Sequence, residues 1–305
     1  MSERLSVLKT YKLYVGGKFP RSESGRVYEV TTRTSAADAA GKGKWLANAP
    51  LSSRKDARDA VVAARKAFGG WSGATAYNRG QILYRIAEML EGRRDQYVAE
   101  VADAEGLSKS KAAAQVDAAI DRWVWYAGWT DKIAQVVGGG NPVAGPFFNL
   151  SSPEPTGVVA VLAPQKSSFL GLVSVVAPVI ATGNTAVVVA SEKSPLPALS
   201  LGEVLATSDL PGGVVNILSG RTAEIAAPLA AHQDVNAIDL AGADEELAKE
   251  LEIAAADNLK RVLRPQPVDN VDWSATPGTD RMTAFLETKT VWHPTGALGA
   301  SGSSY

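Results

Sequence analysis

Residues Gly157–Ala190 read GVVAVLAPQKSSFLGLVSVVAPVIATGNTAVVVA. Two short β-branched runs, GVVAVLA and TAVVVA, flank a longer apolar stretch, Phe169–Ala181. Short runs rich in valine suit buried strands, and the longer stretch suits a helix. Pro178, Gly183 and Asn184 punctuate Phe169–Ala190, so the region reads as helix, turn and strand and not as a membrane span. The same texture continues in VVNIL, VNAIDLA and LKRVL, with helical segments at Ala198–Thr207, Ala223–Ala231 and Glu245–Ala256 between and after them. Alternating strand and helix predicts a parallel sheet covered on both faces, an α/β Rossmann-like, doubly wound domain. No strand is followed by G-x-G-x-x-G or by a G-x-x-x-x-G-K-[ST] phosphate loop. Pattern alone therefore stops at an α/β domain of the kind that often holds a nucleotide.

Upstream, YKLYVGGKFPRS predicts a hairpin turning at Gly16-Gly17. TTRTSAADAAGKGKW is poor in large apolar residues and reads as an exposed loop. In SSRKDARDAVVAARKAF, Ser53 is a candidate N-cap, with Ala57, Ala60, Val61, Ala64 and Phe68 on one helical face. Two more helices follow, the first with Ile82, Leu83, Ile86 and Leu90 on one stripe. A long helix then carries Trp123, Tyr126 and Trp129 at packing spacing and ends in glycines.

The 305 residues carry a net charge of -1, with 46% hydrophobic and 21% charged residues. That composition is globular and offers no basic footprint for nucleic acid or a membrane surface. There is no cysteine, which removes disulfides, thiolate metal ligands and a cysteine nucleophile together. His232 and His293 lie far apart with no carboxylate at ligand spacing, so no metal site is expected. The N-terminal MSERLSVLKTYKLYVGG lacks the apolar core of a secretory signal, and a cytoplasmic protein is expected.

The order of segments resembles the aldehyde dehydrogenase superfamily over nearly the whole chain. YKLYVGGKFPRSESGRVYEV resembles that family's "IGGEW…SGRTFEV" hairpin, and DARDAVVAARKAFGGWSG followed by NRGQILYRIAEMLEGRRDQ resembles its paired helices. PTGVVAVLAP, APVIATGNTAVVVASEKSPLPALSLGEVL and LPGGVVNILSG are similar to its cofactor domain. The resemblance implies a Rossmann-like sheet that binds NAD(P) without the usual glycine fingerprint.

It also implies a chemistry: a thiolate nucleophile, an oxyanion donor, a carboxylate base and a nicotinamide to take hydride. Here the family's "PWNFP" is PQKSS, with Gln165 in place of Trp and Lys166 in place of the oxyanion Asn. "LKPAEQTP" is VVASEKSP, where Val189 replaces the Lys and Glu192 remains. "GxGxxxG" is GRTAEIA, keeping Gly220, and "FTGS" is LAGA, keeping Gly242 with Ala243 in place of the Ser. By resemblance, Glu192, Gly220 and Gly242 are the vestiges of a cofactor site, and no catalytic residue remains. NAD(P) binding is expected to be weak or lost.

In the family the strand LKRV leads into "TLELGGKSP", whose Glu is the base. This chain has LKRVLRPQPVDN, with Pro265 at the base position and Pro267 and Val268 in place of the Gly pair. A catalytic domain of roughly 150–200 residues would follow. The chain instead resumes at FLETKTVW, which is similar to the family's terminal arm. The expected organisation is a hairpin and helical part at 1–156, a Rossmann-like core at 157–264, a linker replacing the catalytic domain at 265–280, and an oligomerisation arm and tail at 281–305. An arm after a proline-rich linker is expected to find few partners in its own chain. The reading that follows is a non-catalytic pseudoenzyme subunit that pairs with a full-length aldehyde dehydrogenase or with itself. The alternative is an NAD(P)-binding protein with residual oxidoreductase activity.

Overall fold

The computed structural model describes residues 7–33, 43–266 and 271–295. Strands β1 (Val27–Thr31) and β2 (Trp45–Pro50) pair antiparallel as a ribbon. The helices α1 (Arg54–Gly73), α2 (Ala76–Glu91), α3 (Arg94–Glu105) and α4 (Lys109–Trp129) come next, then the short α5 (Ile133–Val137). Ser53 caps α1 by accepting from the Lys55 and Asp56 amides, and Asp56 closes a capping box. Trp123 and Tyr126 of α4 are buried and Trp129 is half-buried, the packing face that their spacing predicts.

The central sheet holds five parallel strands in the order β7-β6-β5-β8-β9. They are β5 (Val158–Leu162), β6 (Thr185–Val189), β7 (Val215–Leu218), β8 (Ala237–Asp239) and β9 (Arg261–Leu263), alternating with α6 (Leu170–Ala181), α7 (Leu196–Leu205), α8 (Thr222–Ala230) and α9 (Glu245–Ala256). Every residue of β5 and β6 is buried, which explains their continuous apolar runs. Val158, Ala160 and Leu162 pack with α1, α8 and α9, while Val159 and Val161 join the larger cluster formed by α2, α3, α4, α6 and α7. The chain is thus the expected α/β doubly wound fold, with its order reversing between β5 and β8.

Two expectations are corrected. The last sheet strand begins only at Arg261; Leu259 is 91% exposed in a left-handed turn at φ 56°, so it belongs to no buried strand. The terminal arm, β10 (Leu286–Pro294), does have a local partner. It pairs antiparallel with β4 (Phe147–Pro155) over its full length, from Leu286↔Pro155 to Pro294↔Phe147. With β3 (Gly139–Gly140) this makes a three-stranded sheet in the order β10-β4-β3. The arm's backbone groups are therefore met on one side within the chain, and only the outer edge of β10 is left without a strand among the described residues.

Candidate functional site

In a doubly wound sheet, ligands sit at the carboxyl ends of the strands, where the order reverses. Here that place lies between the loops after β5 and β8. Gly242, after β8, comes so close that a Cβ on it would stand 2.0 Å from the Ala163 carbonyl oxygen. The two loops touch, and Ala243 beside them is buried. Beneath them Asp239, the last residue of β8, is fully buried. Its carboxylate accepts from the Arg281 guanidinium and from the Ala241 amide at 3.0 Å. Burial pushes the Asp239 carboxyl upward, and Arg281 pulls it partly back.

Glu192 lies in the loop after β6. One carboxylate oxygen accepts from the Arg221 guanidinium at 2.6 Å, and the other from the Thr222 amide at 3.0 Å. Thr222 opens α8, so the carboxylate already occupies the positive end of that helix, where a phosphate would otherwise be favoured. The Glu192 amide donates to Gln165 Oε1 at 2.9 Å, and Gln165 Nε2 donates to Thr222 Oγ1 at 3.4 Å. The Tyr28 hydroxyl donates to the Glu192 carbonyl at 3.2 Å, and the Arg221 guanidinium lies 5.9 Å from the Tyr28 ring centre. Burial, then the Glu192 charge, raises the Tyr28 hydroxyl well above its ordinary value. Gly220 has φ 144°, and a Cβ there would meet Ile225 Cδ1 at 3.0 Å and the Ser52 amide nitrogen at 3.2 Å.

The structure thus brings Glu192, Gln165, Arg221 and Thr222 into one hydrogen-bonded group and places Gly220 at the turn into it. Gly242 belongs to the contact between the two switch-point loops. Val189 is fully buried among apolar side chains at the end of β6. Pro265 follows β9 as described chain, whereas Pro267 and Val268 lie outside the described residues. Sequence reasoning missed Tyr28, Arg221 and the Asp239–Arg281 pair. The signals were a bulky Arg-Thr in the turn GRTAEIA and a lone Asp in the apolar run VNAIDLA. Among the described residues, no three His, Asp or Glu side chains are placed to hold a metal, and no helix is long and apolar enough to cross a membrane.

The model of the aldehyde dehydrogenase family matches residues 29–265. The chain is 32% identical over 260 residues to "Putative aldehyde dehydrogenase DhaS" of Bacillus subtilis (strain 168), covering 83% of this chain and 50% of that protein. It is 33% identical over 263 residues to "Retinal dehydrogenase 2" of Gallus gallus, covering 84% and 48%. The fold matches HpcC from Thermus thermophilus with a TM-score of 0.77 at 29% identity, over 83% of this chain and 47% of that one. It also matches the NAD+ complex of aldehyde dehydrogenase from Bacillus cereus with a TM-score of 0.76 at 26% identity, over 83% and 50%. The chain spans about half the length of these relatives. On the extent of the family match and the shared parallel sheet, this chain belongs to the aldehyde dehydrogenase family.

Proposed function

We propose that the chain is a non-catalytic aldehyde dehydrogenase-like subunit, a structural or regulatory partner in a complex with a full-length aldehyde dehydrogenase. The observation that carries this reading is the loss of every reacting group. The sequence has no cysteine, and by the resemblance Pro265 stands at the position of the base and Lys166 at that of the oxyanion amide. Each such group is worth orders of magnitude in rate, and no remaining residue supplies a thiolate.

The residues present do not fit a dinucleotide. Glu192 is engaged by Arg221 and by the first amide of α8, so a ribose hydroxyl would have to compete with both for the carboxylate, and a phosphate would meet its charge at the helix end. The Val189 side chain has no donor, and Ala243 has no hydroxyl. Glu192, Gly220 and Gly242 are on this reading vestigial as cofactor ligands.

What supports a partner role is the small sheet. Phe147, Phe148, Leu150 and Trp292 are exposed on it, beside the outer edge of β10, which no strand covers among the described residues. An unpaired edge beside exposed aromatic side chains suits strand addition to another sheet. The test is twofold. The purified chain should form no NAD(P)H from aldehydes, and affinity purification from the native cell should bring a full-length relative with it. Aldehyde-dependent turnover that survives removal of contaminating dehydrogenases would overturn the first half. Recovery of the chain alone would overturn the second.

The second reading, an NAD(P)-binding protein with residual activity, is favoured by the likeness to the NAD+ complex of the Bacillus cereus enzyme. Calorimetric titration with NAD+ and NADP+ separates the two. Submillimolar affinity would favour the second reading.

A further inference from the structure

Between the end of the family match and β10, residues 271–285 are firmly seated. Arg122 of α4, itself buried, donates to Ser174 Oγ of α6 and, at 2.7 Å, to the Ala275 carbonyl. Tyr126, one turn further along α4, donates to the Gly278 carbonyl at 3.3 Å. Met282 and Phe285 are fully buried. The Phe285 carbonyl accepts from the Thr156 amide at 3.2 Å and from Asn184 Nδ2 at 2.9 Å. Residues 271–285 therefore form a cover over α4 and α6 and not a slack splice.

One contact in this cover differs in kind. Asp239 stands opposite Val161 of β5 and Leu263 of β9, in register with apolar strands. Its only charged partner among the described residues is Arg281, whose guanidinium lies 5.4 Å from the Trp273 ring centre. Apolar contacts such as those of Met282 and Phe285 tolerate slippage, because one apolar neighbour substitutes for another. A buried ion pair does not, since any shifted seating leaves a carboxylate buried and unpaired. Such pairs add little net stability but select one arrangement among several. Arg281 precedes the start of β10 by five residues. Together with the two bonds to the Phe285 carbonyl, seating it sets which residue of β10 meets Pro155, and a one-residue slip would turn every β10 side chain to the other face.

We propose that the buried Asp239–Arg281 pair is a register pin: it seats residues 271–285 as a cover and thereby holds β10 on β4 of the same chain. Without the pin, β10 samples slipped pairings or exchange onto a second copy, a low-cost route to dimers.

Three variants of the full chain test this. In Arg281→Met, hydrogen exchange of the β10 amides should speed up by at least about tenfold while β5, β6 and β7 stay protected. Arg281→Lys should keep most of the β10 protection. Asp239→Leu/Arg281→Met removes both charges, so the core refolds around an apolar contact and the thermal midpoint returns toward the parent. Its β10 amides should nevertheless exchange faster than the parent's or report an exchanged dimer by sedimentation. If Arg281→Met fails to fold, the double variant decides. A double variant with the parent's β10 protection and the parent's sedimentation would overturn the proposal, because the charges would then only fill space.

Discussion

Replacing Asn184 by alanine should be among the most damaging single changes away from the large apolar side chains. Asn184 is fully buried in the turn between α6 and β6. Its Oδ1 accepts from the Gly157 amide at 2.8 Å, and its Nδ2 donates to Thr182 Oγ1 at 3.0 Å and to the Phe285 carbonyl at 2.9 Å. One amide group thus joins the start of β5, the end of α6 and the segment leading into β10. In Asn184→Ala the Phe285 carbonyl keeps its bond from Thr156, and Thr182 Oγ1 keeps its bonds to the carbonyls of α6. The Gly157 amide is left buried without its acceptor. An orphaned buried donor costs about 2 kcal/mol, and the two lost bonds add about 0.5 kcal/mol each, for a total of about 3 kcal/mol. Urea unfolding should show a lower midpoint with an unchanged slope, and the melting temperature should fall by about 6 °C at the roughly 2 °C per kcal/mol of a chain this size. Asn184→Asp keeps the acceptor but sets an oxygen against the Phe285 carbonyl, so it should do no better. A loss below about 1 kcal/mol for Asn184→Ala would refute the claim that this side chain is a buried junction.

Other outcomes follow from the same geometry. Arg221→Ala breaks a largely exposed pair with Glu192, so stability should change by less than about 1 kcal/mol, while NAD+ affinity by calorimetry should rise if the hold of Arg221 on Glu192 is what keeps a ribose out. Burial, offset in part by Tyr11, Lys9 and Ser200, raises the Glu100 carboxyl above its usual 4.5. The folded state then holds that proton more tightly than the unfolded chain, so this contribution is present at low pH and is lost as pH rises through the folded value. Glu100→Gln should flatten the dependence of the urea midpoint on pH above 4.5, and an unchanged slope would contradict the assignment. Phe148→Glu with Trp292→Glu, both on the exposed sheet, should leave the circular dichroism of the core intact and remove co-purification with a full-length relative. Deleting Thr283–Tyr305 is a poorer test of the same point, because it also removes the buried Phe285. Gly242→Ala should destabilise the chain by about 1–3 kcal/mol in the absence of any nucleotide, measured by urea unfolding.

Much of the core was legible because its physics is local. Valine-rich runs bounded by Gly and Pro mark β5, β6 and β7, and Ser53 marks the start of α1. Of the small sheet, the arm β10 was legible through the resemblance, but its partner strand was not. β4 reads FFNLSSPEP, and two prolines with two serines hide a strand that lies at the protein surface and needs no apolar alternation. β2, WLANAP, is masked in the same way by its small residues. Pairing between residues as distant as Leu150 and Val291 leaves no trace in either segment alone. The Asp239–Arg281 contact is equally non-local: a lone Asp in a strand announces a buried partner but does not say which cation supplies it.

The residues that look like survivors of a cofactor site each have a structural reason to persist. Glu192 satisfies the first amide of α8 and holds Arg221 against Tyr28. Gly220 takes a φ of 144° with Ile225 and Ser52 packed where a Cβ would stand. Gly242 lets two loops meet at the carboxyl end of the sheet, a contact that exists whether or not a nucleotide is near. Gly220 and Gly242 stand in packed backbone contacts, which is why the Gly242→Ala loss should appear in the chain alone, whereas Glu192 and Arg221 face an open cavity of about 900 Å³. By the resemblance, the positions that depart from the family pattern are Gln165, Lys166, Val189, Ala243 and Pro265, and of these Val189 and Ala243 are packed in the apolar core. On the proposed function, packing keeps the frame while the reacting groups are lost, and the chain serves as a scaffold with the outline of an enzyme.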